Sequence, residues 1–232
     1  MSGNAKNLRE SDSALMMSFA AGDCEGFEVL YRRHSGAIYR FFYFGTHGDK
    51  SLAIELFQDV WMTVIRGRAR YTNEINFVDW LYHSAWARLH DHLRLHTLEQ
   101  DSDDHSVTSQ SSKVVSIVSK SRSIEELNAE ESDELVDVGA DVGADVVEAV
   151  PEVVNDANTS LADSSLIDVI KNLDPEQKEV VLLRYCFSMT AQDIADFIDV
   201  GKSTVDRLAR ETAAVLRQKV SMRLNNGEQL NG

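Results

Sequence analysis

Apolar residues recur every three or four positions along two stretches of the chain, residues 10–98 and 165–224. This is the period of an amphipathic α-helix, whereas the strict alternation that indicates β-strands is missing. The first stretch predicts a helix pair over residues 12–33, broken at residues 21–23, and a core helix that continues to residue 44. The chain has only two prolines, so long helices can run without interruption. The pattern therefore predicts an all-α protein built from two small helical domains.

A helix predicted over residues 51–66 has two distinct faces. At about 100° per residue, its apolar face is formed by Ala53, Phe57, Val60 and Val64. The opposite face carries Leu52, Glu55, Gln58, Asp59, Met62, Thr63 and Arg66. One side of this helix is expected to pack on the core, and the other is available to a partner.

A basic loop at residues 67–74 is expected to follow, and it leads into another helix that is rich in aromatic residues. Cations can meet phosphates and rings can stack on bases, so this combination favours contact with single-stranded nucleic acid. Taken alone, Trp80 and Leu81 are expected in the core, because aromatic and apolar residues at helical spacing usually pack there.

The second stretch contains the signals of a helix-turn-helix. Two capping boxes are expected to begin helices, one formed by Asp174 and Gln177 and the other by Thr190 and Asp193. A recognition helix studded with Lys and Arg is predicted over residues 202–219. In a helix-turn-helix, such a helix enters the major groove of DNA.

Acidic charge is concentrated between the two stretches. The chain has 38 acidic and 23 basic residues, and residues 99–163 hold 17 of the acidic residues but only three basic ones. The rest of the chain is therefore close to neutral. The composition of residues 99–164 predicts a disordered acidic linker. A solvated tether is one interpretation, and an acidic mimic of DNA that covers a basic face is another.

Cysteines and apolar runs restrict the class of protein. Cys24 and Cys186 lie in different stretches, which argues against a disulfide framework and suits a reducing compartment. We expect no signal peptide and no membrane span, because no apolar run is long enough. A cytoplasmic protein is the expectation.

Enzyme chemistry finds little support in the sequence. His90, His92 and His96, with Asp91 among them, suggest a metal site, but no Cys, Glu or further His nearby completes a ligand set. No nucleophile elbow, phosphate loop or paired-carboxylate motif is present. We therefore predict no catalytic residues, no metal and no cofactor.

Two groups of residues resemble the second conserved region of bacterial RNA polymerase sigma factors. They are the run Ala-Ile-Glu-Leu-Phe-Gln-Asp-Val-Trp at residues 53–61, and Trp80, Leu81, Tyr82, Ala85, Asp91, Leu93 and Arg94. The helix-turn-helix stretch resembles the fourth region of the same family. Two regions without the others are typical of the small extracytoplasmic-function group.

The resemblance implies an alternative sigma factor that binds core RNA polymerase and directs promoter-specific initiation. The residues that match the polymerase-binding positions are Leu52, Glu55, Gln58 and Asp59. Those that match contacts to the −10 promoter element are Arg66, Arg68, Arg70, Tyr71, Asn73, Tyr82, His83, Trp86 and Arg94. Those that match contacts to the −35 element are Lys202, Ser203, Thr204, Arg207 and Arg210.

Two departures from the family pattern matter. Where the family has Asp-Ala-Glu-Asp, this chain has Leu-Ala-Ile-Glu at residues 52–55, so two acidic positions have become aliphatic. Asp199 stands at a turn position where the family usually has Gly. Asp is among the less penalised non-glycine residues at positive φ, so we expect the turn to form.

The lost acidic charge suggests a switch. Thr63 lies on the polar face near Leu52 and Asp59, and a phosphate there would add about −1.5 to −2 charges. We hypothesise that phosphorylation of Thr63 restores polymerase binding, as in the sigma subgroup thought to be controlled by Ser/Thr kinases. Whether an anti-sigma partner exists stays open.

A polymerase-independent helix-turn-helix regulator is the main alternative. It accounts for residues 165–224 but leaves Gln58, Asp59, Trp80 and Leu81 without a role. Binding to core polymerase distinguishes the two hypotheses.

Overall fold

The computed structural model describes residues 10–72, 74–100 and 166–228, with side chains described up to Arg94 in the first part and Gln218 in the second. Within these ranges every regular element is a helix, which confirms the predicted all-α fold. Asn73 and residues 101–164 of the predicted acidic linker lie outside the described ranges. None of the described helices has an apolar stretch long enough to cross a membrane.

Eight α-helices and a short 3₁₀ turn make up the described part of the chain. In the first part these are α1 (Asp12–Ala20), α2 (Cys24–Gly45), α3 (Lys50–Gly67), the 3₁₀ turn (Arg68–Arg70) and α4 (Phe77–Gln100). In the second part they are α5 (residues 166–171), α6 (Pro175–Cys186), α7 (Ala191–Phe197) and α8 (Lys202–Glu228). α4 extends two residues past the predicted boundary at residue 98, and α8 extends past the predicted end at residue 219.

The described residues form two compact units. The first comprises residues 10–42 and 50–100, and the second comprises residues 43–49 and 166–228. Each unit has its own set of buried apolar side chains.

The first unit is built around aromatic side chains from α1, α2 and α3. The ring of Phe27 lies 5.0 Å from that of Phe19 and 5.7 Å, edge-on, from that of Trp61, measured between centroids. The Tyr31 ring lies 4.9 Å from Trp61. Such tilted and edge-on pairs are the favourable arrangements of aromatic rings. The apolar face predicted for α3 is buried against this core.

Glycines decide where α1 ends and how closely it approaches α2. Gly22 has φ +101°, a conformation that favours glycine, and it breaks the chain between the two helices as predicted. A Cβ atom built on Gly26 would lie 2.7 Å from the backbone oxygen of Leu15. The absence of a side chain at Gly26 therefore lets α1 pack directly on α2.

The predicted caps of the second unit are present. The backbone N–H of Asp174 donates to Gln177 Oε1 at 3.4 Å, at the start of α6. At the start of α7, the N–H of Asp193 donates to Thr190 Oγ1 at 3.2 Å, and the N–H of Thr190 donates to Asp193 Oδ2 at 2.8 Å. Asp199 has φ +52°, which confirms that the turn between α7 and α8 is made at positive φ without glycine.

Candidate protein and nucleic-acid interfaces

α3 presents a polar face with two exposed carboxylates. Glu55 and Asp59 are exposed, and Leu52 and Gln58 are half-buried beside them. The structure adds a neighbour that the sequence pattern did not indicate, because Arg88 of α4 places its Nε 3.8 Å from Asp59 Oδ2. Both side chains are about half exposed, so this ion pair is weak and open to exchange with a partner's charge.

Thr63 is half-buried on the same helix, one turn after Asp59. Its hydroxyl donates to the backbone oxygen of Asp59 at 2.9 Å, a common arrangement for helical Thr. Arg66 follows three residues later and is exposed, which puts a cation on the neighbouring surface of the helix.

The basic loop after α3 offers two kinds of arginine. Arg66 and Arg70 are exposed. Arg68 is half-buried, and its guanidinium carbon lies 5.0 Å from the centre of the Phe19 ring. This is within the range of a cation–π interaction, so Arg68 is held against α1.

Tyr71 is tied into its own loop. Its hydroxyl donates to the backbone oxygen of Ile75 at 2.7 Å, and its ring lies 5.9 Å from that of Trp80. Burial raises the pKa of Tyr71 above its usual value. Asn76 then caps the start of α4, because its side-chain oxygen accepts from the N–H of Val78 at 2.8 Å.

Two residues assigned to promoter contact from the sequence are packed in the core of this structure. Trp86 is 1% exposed and Tyr82 is 8% exposed. They lie on the stripe of α4 that also buries Leu81, Ala85 and Leu89. The spacing of this stripe was a signal that the sequence could have supplied. Trp80 and Leu81 are buried as predicted.

The remaining residues of α4 that were assigned to promoter contact lie nearer the surface. His83 is half-buried, and Arg94 is exposed with its Nη2 3.7 Å from Asp91 Oδ1. Exposed pairs at this spacing are weak, so Arg94 can turn toward a phosphate at little cost.

His90 is half-buried and packs against a core ring. Its ring is tilted by 30° on that of Trp86, with 3.8 Å between centroids. Burial lowers the pKa of His90 to about 4, so the imidazole is neutral at neutral pH. Among the described residues, no group of three or more His, Cys, Asp or Glu side chains is placed to hold a metal ion.

The start of α8 forms a polar, basic surface. Lys202, Ser203, Arg207 and Arg210 are exposed, and Thr204 is half-buried. Two of the arginines have neighbours on the same helix. Arg207 Nη1 lies 3.1 Å from both carboxylate oxygens of Glu211, and Arg210 Nε donates to the backbone oxygen of Asp206 at 2.9 Å. Val205 and Leu208, on the opposite side, are buried and fix α8 in its unit.

Comparison with known proteins finds matches in both units. Residues 30–98 match the family model for sigma-70 region 2, and residues 164–212 match the model for sigma-70 region 4. Together the matched ranges cover about half of the chain.

The chain is also similar to the ECF RNA polymerase sigma factor BldN of Streptomyces coelicolor. The two are 23% identical over 204 residues, which is 86% of this chain and 63% of that protein. The chain thus spans less than two thirds of that relative's length.

Proposed function

Because the chain belongs to the sigma-70 family of RNA polymerase sigma factors, we propose that it is an extracytoplasmic-function sigma factor. It binds core RNA polymerase in the cytoplasm and directs transcription from specific promoters. The observation that carries this proposal is the pair of matches to regions 2 and 4, which fall in that order on two separate helical units.

The surfaces of the two units suit different partners. On the first unit, the exposed carboxylates Glu55 and Asp59 suit a basic surface of the polymerase. The exposed Arg66, Arg70 and Arg94 suit the phosphates of the −10 element. The first unit could therefore bind the polymerase and the −10 element at the same time.

On the second unit, the exposed start of α8 suits the −35 element. A recognition helix uses its N-terminal residues on base edges in the major groove. Lys202 and Arg207 can also contact phosphates, once Arg207 gives up its exposed pair with Glu211, which costs about 0.5 kcal/mol.

Transcription with purified core polymerase tests this proposal. We expect the full chain to give the core enzyme start-site selectivity on a promoter that the core enzyme alone ignores. Glu55→Ala combined with Asp59→Ala should weaken core binding about tenfold, which corresponds to about 1.4 kcal/mol for two lost charge contacts.

Glu28→Ala is the matched control, because Glu28 is an exposed acid on α2 and not on α3. It should leave core binding unchanged. A chain that occupies promoter DNA equally well with and without core polymerase would instead be the polymerase-independent regulator.

We also propose that phosphorylation of Thr63 by a Ser/Thr kinase strengthens polymerase binding. A phosphate on Thr63 would stand one turn from Asp59 and beside Arg66, adding negative charge to the face where residues 52 and 54 are aliphatic. It would also attract Arg88 away from Asp59, which leaves that carboxylate to the polymerase.

Binding of core polymerase to four forms of the protein tests the switch. The kinase-treated chain should bind about tenfold more tightly than the untreated chain, and Thr63→Glu should gain part of this because it carries one charge. Thr63→Ala should gain nothing on kinase treatment. Ser51→Ala, at the exposed start of α3, is the control that should still respond. Equal binding by the treated and untreated chains would overturn the proposal that phosphorylation of Thr63 controls binding. It would leave the sigma-factor proposal intact.

A further inference from the structure

We propose that α1 is a positioning element for the basic loop between α3 and α4, and that Arg68 and Tyr71 shape this loop instead of contacting DNA. α1 lies ahead of the matched range, which begins at residue 30. The inference rests on the proposed function, because it decides which side chains of the loop meet the promoter.

One end of the loop is held through Phe19. This ring is 0% exposed and is itself fixed by the Phe27 ring at 5.0 Å. The guanidinium of Arg68 lies over it at 5.0 Å, while Arg66 and Arg70 on either side are exposed. Arg68 therefore gains a cation–π contact that it would lose by turning to a phosphate, whereas its neighbours are already at the surface.

The other end of the loop is held through Ser13. Its hydroxyl oxygen accepts from the backbone N–H of Phe77, the first residue of α4, at 3.3 Å. One α1 side chain is therefore hydrogen-bonded to the start of α4.

Tyr71 closes the loop on itself. Its hydroxyl donates to Ile75, and its ring packs at 6.3 Å from Phe77 and 5.9 Å from Trp80. A ring that is already packed and hydrogen-bonded on its own loop is poorly placed to stack on a base. Its role is to set the span of the loop between Tyr71 and Ile75.

These contacts together fix the conformation of the loop in the free protein. A loop that is already ordered loses less conformational entropy on binding, so affinity and specificity rise without a further contact. Removing a positioning contact should therefore loosen the free loop and also weaken DNA binding. Removing a phosphate contact should weaken DNA binding but leave the free loop unchanged.

Amide hydrogen exchange on the free full-length protein provides the first test. Phe19→Leu keeps an apolar side chain in the core, and Arg68→Gln leaves the core untouched. Both should speed exchange of the Tyr71 and Ile75 amides about two- to fivefold, as expected for one lost cation–π contact. Ser13→Ala should speed exchange of the Phe77 amide about three- to tenfold. Ser13→Thr keeps the hydroxyl, so its Phe77 amide should exchange at the rate of the unaltered chain.

Arg66→Gln is the matched control in this measurement, because Arg66 is exposed in the same segment and should leave the free loop unchanged. The α2 amides provide the internal reference for global stability. Unchanged exchange in the loop for both Phe19→Leu and Arg68→Gln overturns the proposal.

Salt dependence of promoter binding by the holoenzyme provides the second test. Arg66→Gln should lower the slope of log affinity against log salt by about 1, as expected when a phosphate contact is lost. Arg68→Gln should weaken binding without changing the slope, and combining it with Phe19→Leu should add little further loss. Arg40→Gln, exposed on α2, should change neither quantity.

A slope lowered by about 1 in Arg68→Gln would identify Arg68 as a phosphate contact and overturn the proposal. If no holoenzyme of any variant, or of the unaltered chain, binds promoter DNA, the proposed function fails. The exchange measurement on the free protein would still test whether α1 positions the loop.

Discussion

Asp12 shows how a single side chain joins two helices, α1 and α2. Its carboxylate accepts hydrogen bonds from Arg33 Nη1 and from His34 Nε2, the latter at 2.9 Å. The His34 ring in turn lies 6.0 Å from Phe77 of α4. The hydrogen bond from His34, followed by that from Arg33, lowers the pKa of Asp12 against the opposing effect of burial.

We predict that Asp12→Asn destabilises the first unit in a pH-dependent way. Because the folded pKa lies below the unfolded value of 3.8, the stabilisation is present above that value and is lost as pH falls through the folded pKa. At neutral pH the loss should be about 1–2 kcal/mol, and it should shrink in acid. Denaturant unfolding, monitored by tryptophan fluorescence, measures this loss of stability. The signal reports on the first unit, because Trp61, Trp80 and Trp86 all lie in it.

Glu28→Gln is the control for the same measurement, since Glu28 is an exposed acid of α2. It should change stability little at any pH. A loss for Asp12→Asn that is as large at pH 3 as at pH 7 would contradict the ion-pair explanation.

At the scale of elements, the turn between α7 and α8 determines how the recognition helix is presented. The chain reverses through Asp199 at φ +52°, and the N–H of Val200 donates to the oxygen of Ala195 at 3.0 Å. A non-glycine residue in this conformation carries strain of about 1 kcal/mol or more, although Asp tolerates it better than most.

Asp199→Gly should therefore stabilise this turn by about 0.5–1 kcal/mol, because glycine adopts the conformation without steric cost. The same change three residues earlier, Asp196→Gly, should destabilise α7 by about 1 kcal/mol, because it puts glycine inside a helix. Hydrogen exchange of the α7 and α8 amides measures both effects. Two changes of the same sign would contradict the strain argument.

At the scale of the whole molecule, the distribution of charge predicts that neither unit binds DNA strongly by itself. The chain carries a formal net charge of −15, but the acidic excess lies in residues 99–163, and the rest is close to neutral. Affinity for DNA depends largely on the number of phosphates that are neutralised. The few exposed cations of α8 and of the basic loop must therefore act together, on a scaffold that positions both units.

We accordingly expect the isolated protein to bind promoter DNA poorly at physiological salt. The holoenzyme should bind specifically and with a steep dependence on salt, since it adds its own phosphate contacts. Fluorescence anisotropy with labelled promoter DNA, measured over a salt series, checks both statements. Tight binding by the isolated chain that is insensitive to salt would be inconsistent with this charge distribution.

The sequence alone determined the helices, their breaks and their caps, since these depend on residues within about four positions of each other. The buried face of α3, the break at Gly22 and the caps at Asp174 and Thr190 all follow from such local patterns. The match to two regions of one family also follows from sequence.

Only the tertiary structure decided which polar and aromatic side chains are available to partners. Ser13 reaches the N–H of Phe77 across 64 positions, and Asp12 reaches His34 across 22. Arg68 lies on Phe19, and Tyr82 and Trp86 are buried, although the resemblance to the family implied that all three contact DNA. Periodicity records which face of a helix is apolar, but it carries no information about which helix covers that face.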